Sequence, residues 1–254
     1  MYLTGPTLGA THIGSSTATV TGTTEQYGTF GRLTYQLVQG ENYSLHIGGD
    51  AQAVFRPPTN TTTGVPSLTL SDRPELRIDP TAIVTTGAIA NAAAAQVYSA
   101  EAAAGGGPLF FQGEYLHFNI DRALGLPRLE FAGWYAQASW TLTGEGRVYN
   151  PATGSYGTII PTHPFALATG NWGAWEIAGR YSVIDLNDRL GFKDGIAGGD
   201  QTVYTAGLNW YVNRNVRVMF NYLHGTIGKQ LSGVVPTNTG AKFDAVAMRA
   251  QVAF

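Results

Sequence analysis

The chain has 254 residues, of which only 13 % are charged, 11 % are aromatic and 33 are glycine. Its net charge of −2 argues against nucleic-acid binding, which needs a basic excess, and its lack of cysteine excludes disulfide scaffolds, thiolate metal sites and cysteine nucleophiles. No stretch approaches the run of about 18 apolar residues that predicts a membrane-spanning helix. Low charge without such a block is typical of a membrane β-barrel, although a soluble β-sandwich also alternates apolar and polar residues.

The N-terminal segment, residues 1–26, is rich in Thr, Gly and Ser and has no periodicity, so we predict loop or disordered chain there. Its first residues contain neither a basic region nor an apolar region, so they do not form a secretory signal. An exported protein needs such a signal, so a membrane β-barrel with this N-terminal segment calls for an explanation.

From residue 27 onward, apolar and polar residues alternate with a period of two in about ten segments. Each has about ten residues, the length of a strand that crosses a membrane. The predicted strands are 28–38, 43–56, 67–79, 93–104, 108–120, 129–142, 173–185, 201–212, 216–224 and 243–254. The fold class predicted from them is all-β, a transmembrane antiparallel up-and-down β-barrel.

The composition of the two strand faces favours a membrane protein. In segment 173–185, Trp175 and Tyr181 share one face with aliphatic residues, whereas Glu176 and Arg180 share the other. The polar faces mix small and amide residues with single charges, unlike the Lys- and Glu-rich surface of a soluble sandwich. Aromatic residues near strand ends fit a girdle at the membrane interface; these are Trp140, Trp172, Trp175, Trp210 and Tyr211. In the alternative interpretation, they fill an ordinary core.

The connections fit a barrel unevenly. Tight turns are predicted at 105–107 and 213–215, and the long Gly-rich connections 186–200 and 225–241 are predicted to be external if the chain ends on the periplasmic side. With ten strands, the long connection 143–172 falls on the periplasmic side, and the connection 38–42 is short for an external loop.

Several stretches resemble the phosphate-selective porin O and P family. The C-terminal third contains GAWEIAGRYSVIDLND, GGDQTVYTAGLNWYVNRNVRVMFNYLH and DAVAMRAQVAF in the order that the family has. QGEYLHFNIDR and FAGWYAQASWTLTGEGRVYN are similar to the segment just upstream, and GRLTYQLV and LSDRPELRID are similar less sharply. The resemblance runs from about Tyr27 to Phe254.

The resemblance implies a homotrimeric outer-membrane barrel of about sixteen strands per subunit, which passes anions such as phosphate by passive diffusion and has no cofactor. About ten strands match, all from the C-terminal part of that barrel. We therefore expect a truncated gene or a sequence fragment, with a signal peptide and the missing strands encoded upstream. The family's inward-folding loop, from its N-terminal half, is expected to be absent, although the connection 79–93 is a candidate to fold into the pore. The terminal Phe254 resembles the signal read by the barrel-insertion machinery.

No catalytic motif is present, and the five histidines are scattered without metal-ligand spacing, so we predict neither an enzyme nor a metal site. A soluble or surface-attached all-β protein that binds glycans remains the alternative function.

The arginines carry the prediction of anion selectivity. A charge on the lipid face at the bilayer midplane costs about 2–4 kcal/mol, so arginines on strands are predicted to face the lumen. These are Arg32, Arg56, Arg73, Arg77, Arg180, Arg217 and Arg249. A guanidinium is always charged and binds oxyanions through a rigid fork of donors, so a row of them favours anions. Alternatively, each pairs with a lumen carboxylate and only rigidifies the wall; Asp50, Glu75, Glu101, Glu114 and Glu176 are available for that.

Overall fold

The computed structural model describes residues 27–60, 62–73, 75, 82–231 and 237–253, and the side chains at 229–231 and 237–239 are outside this description. Three predictions therefore fall on residues that are not described: the loop or disorder of 1–26, the lumen position of Arg77 and the assembly role of Phe254.

Nine long strands form one antiparallel sheet in the described part of the chain, and each pairs with its neighbours in sequence among the nine. They are β1 (Tyr27–Gln39), β2 (Tyr43–Arg56), β3 (Ala92–Gly106), β4 (Leu109–Arg122), β5 (Leu129–Thr141), β6 (Ala174–Asp188), β7 (Ile196–Tyr211), β8 (Val216–Leu231) and β9 (Thr237–Val252). This order is that of an up-and-down barrel, and the predicted fold class is confirmed. Strands β1 and β9 are the two edges of the sheet, which is not closed.

The remaining elements are short and lie in two long connections. The connection 57–91 contains Ser67–Leu68, Ser71–Asp72, Val84–Thr85 and Ile89–Ala90, and the connection 142–173 contains Tyr149–Asn150, Ser155–Tyr156 and the 3-10 helix Leu167–Thr169. No helix among the described residues is both long and apolar enough to cross a bilayer.

The predicted strand 67–79 is wrong. Ser67–Leu68 pairs with Ile89–Ala90, and Ser71–Asp72 pairs with Val84–Thr85, so these residues form two small ribbons, which we call the inner ribbons. Strand β2 pairs directly with β3, without a strand between them. A ribbon of two-residue strands alternates apolar and polar residues as a long strand does, and the pattern alone does not separate the two.

With nine strands instead of ten, the connections sort more simply onto the two ends of the sheet. One end, the turn rim, carries the short turns 40–42, 107–108 and 212–215 together with the connection 142–173. The other end, the loop rim, carries 57–91, 123–128 and 189–195. The short connection after β1 thus joins the other short turns, which removes the misfit that ten strands produced. The turn predicted at 105–107 lies at 107–108, because Gly105 and Gly106 still pair with Phe110 and Leu109. Gly107 in this turn has φ of +51°, a conformation that favours glycine.

The outer face of the sheet is apolar and carries two rows of aromatic rings. Trp175 and Trp210 are cross-strand partners near the turn rim, with ring centroids 5.5 Å apart. Tyr181 and Tyr204 form a second pair, 4.8 Å apart, six residues along the same strands. Six residues of strand span about 20 Å, so the two rows bound an apolar band. Trp140, Trp175 and Trp210 therefore lie where an aromatic girdle is predicted.

Tyr211 is not part of that girdle, and its assignment there was wrong. Its side chain points to the inner face, is only 2 % exposed, and donates a hydrogen bond of 2.7 Å to Glu176. The reason is the parity of β7, since residues adjacent in a strand point to opposite faces and Trp210 points outward. Trp172 is exposed in the connection before β6, and its carbonyl oxygen accepts a hydrogen bond from Trp210 Nε1 at 2.7 Å.

The main apolar core lies between the inner face and the connection 57–91. Leu68, Val84 and Ile89 from the inner ribbons are buried against strand residues on the loop-rim half of the sheet. Those strand residues are Ile120, Leu129, Phe131, Ile184, Leu186 and Ile227. The described residues of the connection 57–91 thus fold inward through the inner ribbons, which include part of the segment predicted as a strand.

Candidate functional site

A polar cavity of about 560 Å³ occupies the turn-rim half of the inner face. It lies on the turn-rim side of the inner ribbons, and the connection 142–173 forms part of its wall. Its charged lining residues are three arginines and three glutamates: Arg32, Arg147, Arg180, Glu75, Glu101 and Glu176. Amide side chains fill the space between them, from Gln112, Gln137, Asn209 and Asn221.

Arg32 joins β1 to two other parts of the cavity wall. Its Nε and Nη2 both donate to Oε1 of Glu101 on β3, and Nε does so at 3.1 Å. Nη1 and Nη2 also donate to the carbonyl oxygens of Thr153 and Gly154, at 3.4 and 3.3 Å. Arg32 therefore tethers the connection 142–173 to the wall, and its charge is neutralised by a carboxylate.

Arg180 on β6, like Arg32 on β1, pairs with a glutamate of the cavity wall. Its Nε donates to Glu75 at 2.8 Å, and its guanidinium lies 3.8 Å from the ring centroid of Tyr135. Glu75 also accepts hydrogen bonds of 2.8 Å from the hydroxyls of Ser182 and Thr205. These contacts hold Glu75 in a left-handed backbone conformation, with φ of +52°, which is uncommon for a residue other than glycine.

Glu176 is the most buried charged group of the cavity, with no exposed surface. It accepts hydrogen bonds from Arg147 at 2.7 Å, from Asn209 at 2.9 Å and from Tyr211 at 2.7 Å. Arg147 comes from the connection 142–173, and its guanidinium also lies over the ring of Phe110 at 5.0 Å. Sequence analysis did not find Arg147, because parity arguments apply only to residues within strands.

An aromatic cluster fixes the same connection further along the wall. The Tyr156 hydroxyl donates to the carbonyl oxygen of Ser44 at 2.6 Å and accepts from the amide of Gly105 at 3.0 Å. The Tyr156 ring stacks on buried His46 and meets the edge of Phe110. This part of the cavity wall is therefore firmly packed.

The other arginines predicted to bind anions have different surroundings. Arg217 is on the inner face of β8 and donates two hydrogen bonds to Gln251, at 3.0 and 2.8 Å. Arg249 is exposed on the inner face of β9 and makes no ion pair with any described residue. Arg56 is exposed at the end of β2. Arg73 is not on a barrel strand but in the connection 57–91, beside the inner ribbon Ser71–Asp72.

Two carboxyls in the connections have opposite pKa shifts. Burial raises the pKa of Asp72, in an inner ribbon, to about 7. Desolvation tends to raise the pKa of Asp194 in the connection 189–195. A backbone hydrogen bond and the guanidinium groups of Arg189 and Arg122 outweigh this effect, so the pKa of Asp194 is lowered.

Within the described ranges, no three His, Asp or Glu side chains are arranged to bind a metal ion.

The family model "Phosphate-selective porin O and P" matches residues 5–254 of this chain. Porin O of Pseudomonas aeruginosa is 29 % identical over 140 residues, which cover 52 % of this chain and 30 % of Porin O. An uncharacterized protein of Caulobacter vibrioides is 34 % identical over 113 residues, which cover 44 % of this chain and 20 % of that protein. The chain therefore spans less than a third of these curated relatives.

Among solved structures, the chain is similar to "Outer-membrane expressed OmpT of Vibrio cholerae". The TM-score is 0.41 at 11 % sequence identity, with 89 % of this chain and 56 % of that chain covered.

Proposed function

We propose that this chain, which belongs to the phosphate-selective porin O and P family, forms part of the wall of a water-filled channel for passive diffusion. Membership of that family makes it a protein of the bacterial outer membrane. In the proposed role, the turn rim faces the periplasm and the loop rim faces the exterior. Transport of this kind needs no cofactor and no chemical step.

The observation that carries the proposal is the opposite character of the two faces of one sheet. The outer face presents exposed apolar side chains between two rows of aromatic rings, as lipid contact requires. The inner face borders a cavity lined by ion pairs and amides, which water can fill. A soluble glycan-binding protein would need a polar exterior, so the exposed apolar band favours the channel over that alternative.

We assign the anion preference of the channel to Arg217 and Arg249. Arg32 and Arg180 are neutralised by Glu101 and Glu75, so they add little net positive charge to the lumen. Arg217 pairs with Gln251 in the register of β8 and β9, and Arg249 is two residues from Gln251. The two arginines are thus diagonal neighbours, about 7–8 Å apart, and no described carboxylate pairs with either of them.

The test is the reversal potential of the full-length protein in a planar bilayer with a salt gradient. Replacing both residues, Arg217→Glu and Arg249→Glu, reverses four units of charge on the lumen wall. We expect a strong shift of the reversal potential toward cations. The shift should be larger at 0.1 M salt than at 1 M, because charges are screened beyond about 10 Å and about 3 Å respectively.

The matched control is Arg214→Glu in the exposed turn 212–215, which should shift the reversal potential much less. Equal shifts from the control and the double variant, or no shift from either, would contradict the assignment of the anion site. A full-length protein that conducts no ions at all would overturn the channel itself.

The proposal includes two partners in assembly. A homotrimer is the assembly that the family resemblance implies, and the terminal Phe254 is the proposed contact for the barrel-insertion machinery. Deleting Phe254 from the full-length protein should lower its yield in the outer membrane.

A further inference from the structure

A buried carboxyl links the inner ribbons to the barrel wall. Asp72 lies on the ribbon strand Ser71–Asp72 and is 7 % exposed. Its partner is Gln201 on β7, which is 2 % exposed and whose Nε2 donates to Asp72 Oδ2 at 2.7 Å. The other amide atom, Gln201 Oε1, is also buried and has no hydrogen-bond partner among the described residues.

This geometry suits a carboxylic acid better than a carboxylate. An ionised carboxylate offers only acceptors, so it satisfies Nε2 of Gln201 and leaves Oε1 without a donor. A protonated carboxyl has one O–H donor and one acceptor oxygen, which match the two atoms of the amide. An unpaired charge in this buried position is also costly, because it has lost its hydration.

Two groups near Asp72 favour its ionised form, since the backbone N–H of Arg73 donates a hydrogen bond to its carboxyl and the guanidinium of Arg180 is nearby, but burial has the larger effect. The small pocket beside it is lined by Glu75 from the same connection, Tyr135 from β5 and Arg180 from β6. Arg180 is already bound to Glu75 at 2.8 Å, and Glu75 adds negative charge near Asp72. Strand β4 contributes Leu116 to this pocket, with the carboxyl of Glu114 next on the same face. Burial thus raises the pKa of Asp72 to about 7.

We propose that the contact between Asp72 and Gln201 is a proton-dependent latch, which holds the inner ribbon 71–72/84–85 against the barrel wall when Asp72 is protonated and loosens it when Asp72 ionises. Glu75 follows Asp72 by three residues and forms part of the cavity wall, so loosening the ribbon changes the lining of the lumen. The apolar contacts of Leu68 and Ile89 hold the base of the connection in both states.

The direction of the pH effect follows from the raised pKa. The docked ribbon binds a proton that the released ribbon, with an ordinary aspartate, gives up. Docking is therefore strongest below the ordinary pKa of 3.8, weakens as the pH rises, and has lost this contribution above about 7. A channel in acid has the ribbon latched, and a channel above neutral pH has it loosened.

The experiment uses the labelling of a buried cysteine in the full-length protein. Val84 is the cross-strand partner of Asp72, is 0 % exposed, and lies in a sequence without native cysteine. Val84→Cys is labelled with a pyridyl disulfide, which reacts in acid as well, in the native background and together with Asp72→Asn. The asparagine matches both atoms of Gln201 at every pH, so the ratio of the two rates removes the pH dependence of the thiol.

We expect a ratio near one at pH 4 and a ratio of about tenfold or more at pH 8, with the native background labelled faster. A ratio that does not change with pH, or faster labelling with Asp72→Asn, would overturn the latch. Asp244→Asn, on the outer face, is the matched control and should leave the pH profile unchanged. These rates need no ion conduction, so they are independent of the proposed channel.

A second measurement avoids the cysteine substitution, in case Val84→Cys does not fold. The single-channel conductance of the native full-length protein should change between pH 4 and pH 8, and Asp72→Asn should remove most of that change. An identical pH profile in both proteins would contradict the latch.

Discussion

Two long connections lie against the inner face of the sheet, and they are held there by different forces. The connection 57–91 docks through buried apolar side chains, chiefly Leu68, Val84 and Ile89. The connection 142–173 docks through charged and polar contacts, such as Arg147 with Glu176 and Tyr156 with Ser44. The connection 57–91 is thus held mainly by hydrophobic burial, with polar contacts from Asp72 and Glu75, whereas 142–173 is held mainly by directed polar bonds, with packing from the Tyr156 ring.

The difference follows from what each connection covers. The loop-rim half of the inner face is apolar, so it must be covered to be kept from water, and a packed segment does this. The turn-rim half is polar and stays open as the cavity. A polar tether holds its segment at the side of that cavity without filling it. The connection 57–91 therefore narrows the lumen, and the connection 142–173 lines it.

The largest effect is expected from breaking the polar tether at its most buried group. Glu176→Gln removes the carboxylate and leaves the Arg147 guanidinium, with 19 % of its side chain exposed, without its ion-pair partner. Loss of one member of a buried pair costs about 3–5 kcal/mol. We expect the connection 142–173 to become sensitive to protease in the folded full-length barrel, while 57–91 stays protected.

His163→Gln, on the same connection and with an exposed side chain, is the control and should change protease sensitivity little. Equal protection of the connection 142–173 in the Glu176→Gln variant would show that the ion pair does not hold this segment.

A smaller effect is expected from weakening the apolar anchor. Ile89→Ala opens a cavity in the core and should cost about 2–5 kcal/mol, toward the low end if the ribbon relaxes into the space. Protease sensitivity should now appear in 57–91 and not in 142–173. Ile160→Ala, whose side chain is exposed in the other connection, is the matched control. Loss of protection in both connections after Ile89→Ala would mean that they are not docked independently.

The sequence predicted the strands well because a membrane strand is a long local pattern. Six of the long strands match predicted segments to within three residues at each end, whereas β7 begins at Ile196 instead of 201, β8 ends at Leu231 instead of 224, and β9 begins at Thr237 instead of 243. The alternation in β6 places Glu176 and Arg180 on the inner face, where the structure has them. The same parity also placed Tyr211 opposite Trp210, a signal that the girdle assignment overlooked.

The sequence did not predict which residues the two long connections contact. Arg147 and Glu176 are 29 residues apart, and no local pattern specifies that they meet. The segment 67–79 misled because Arg73, Glu75 and Arg77 recur with a period of two, as charged residues on one face of a barrel strand would. In fact Asp72 is buried against β7, and Glu75 reaches β6. Which residues such a segment contacts depends on the surface of the folded sheet against which it packs.

The most direct test of the channel compares two neighbouring alanines on opposite faces of the sheet. Ala178 lines the cavity on the inner face of β6, whereas Ala206 is exposed on the outer face of β7 and pairs in register with Gly179. Each is changed to cysteine in the full-length protein, and a charged, water-soluble thiol reagent is added to single channels in a planar bilayer. We predict that the reagent reduces the conductance of the Ala178→Cys channel and leaves the Ala206→Cys channel unchanged. A block of the Ala206→Cys channel, with no effect on Ala178→Cys, would contradict a water-filled lumen on the inner face.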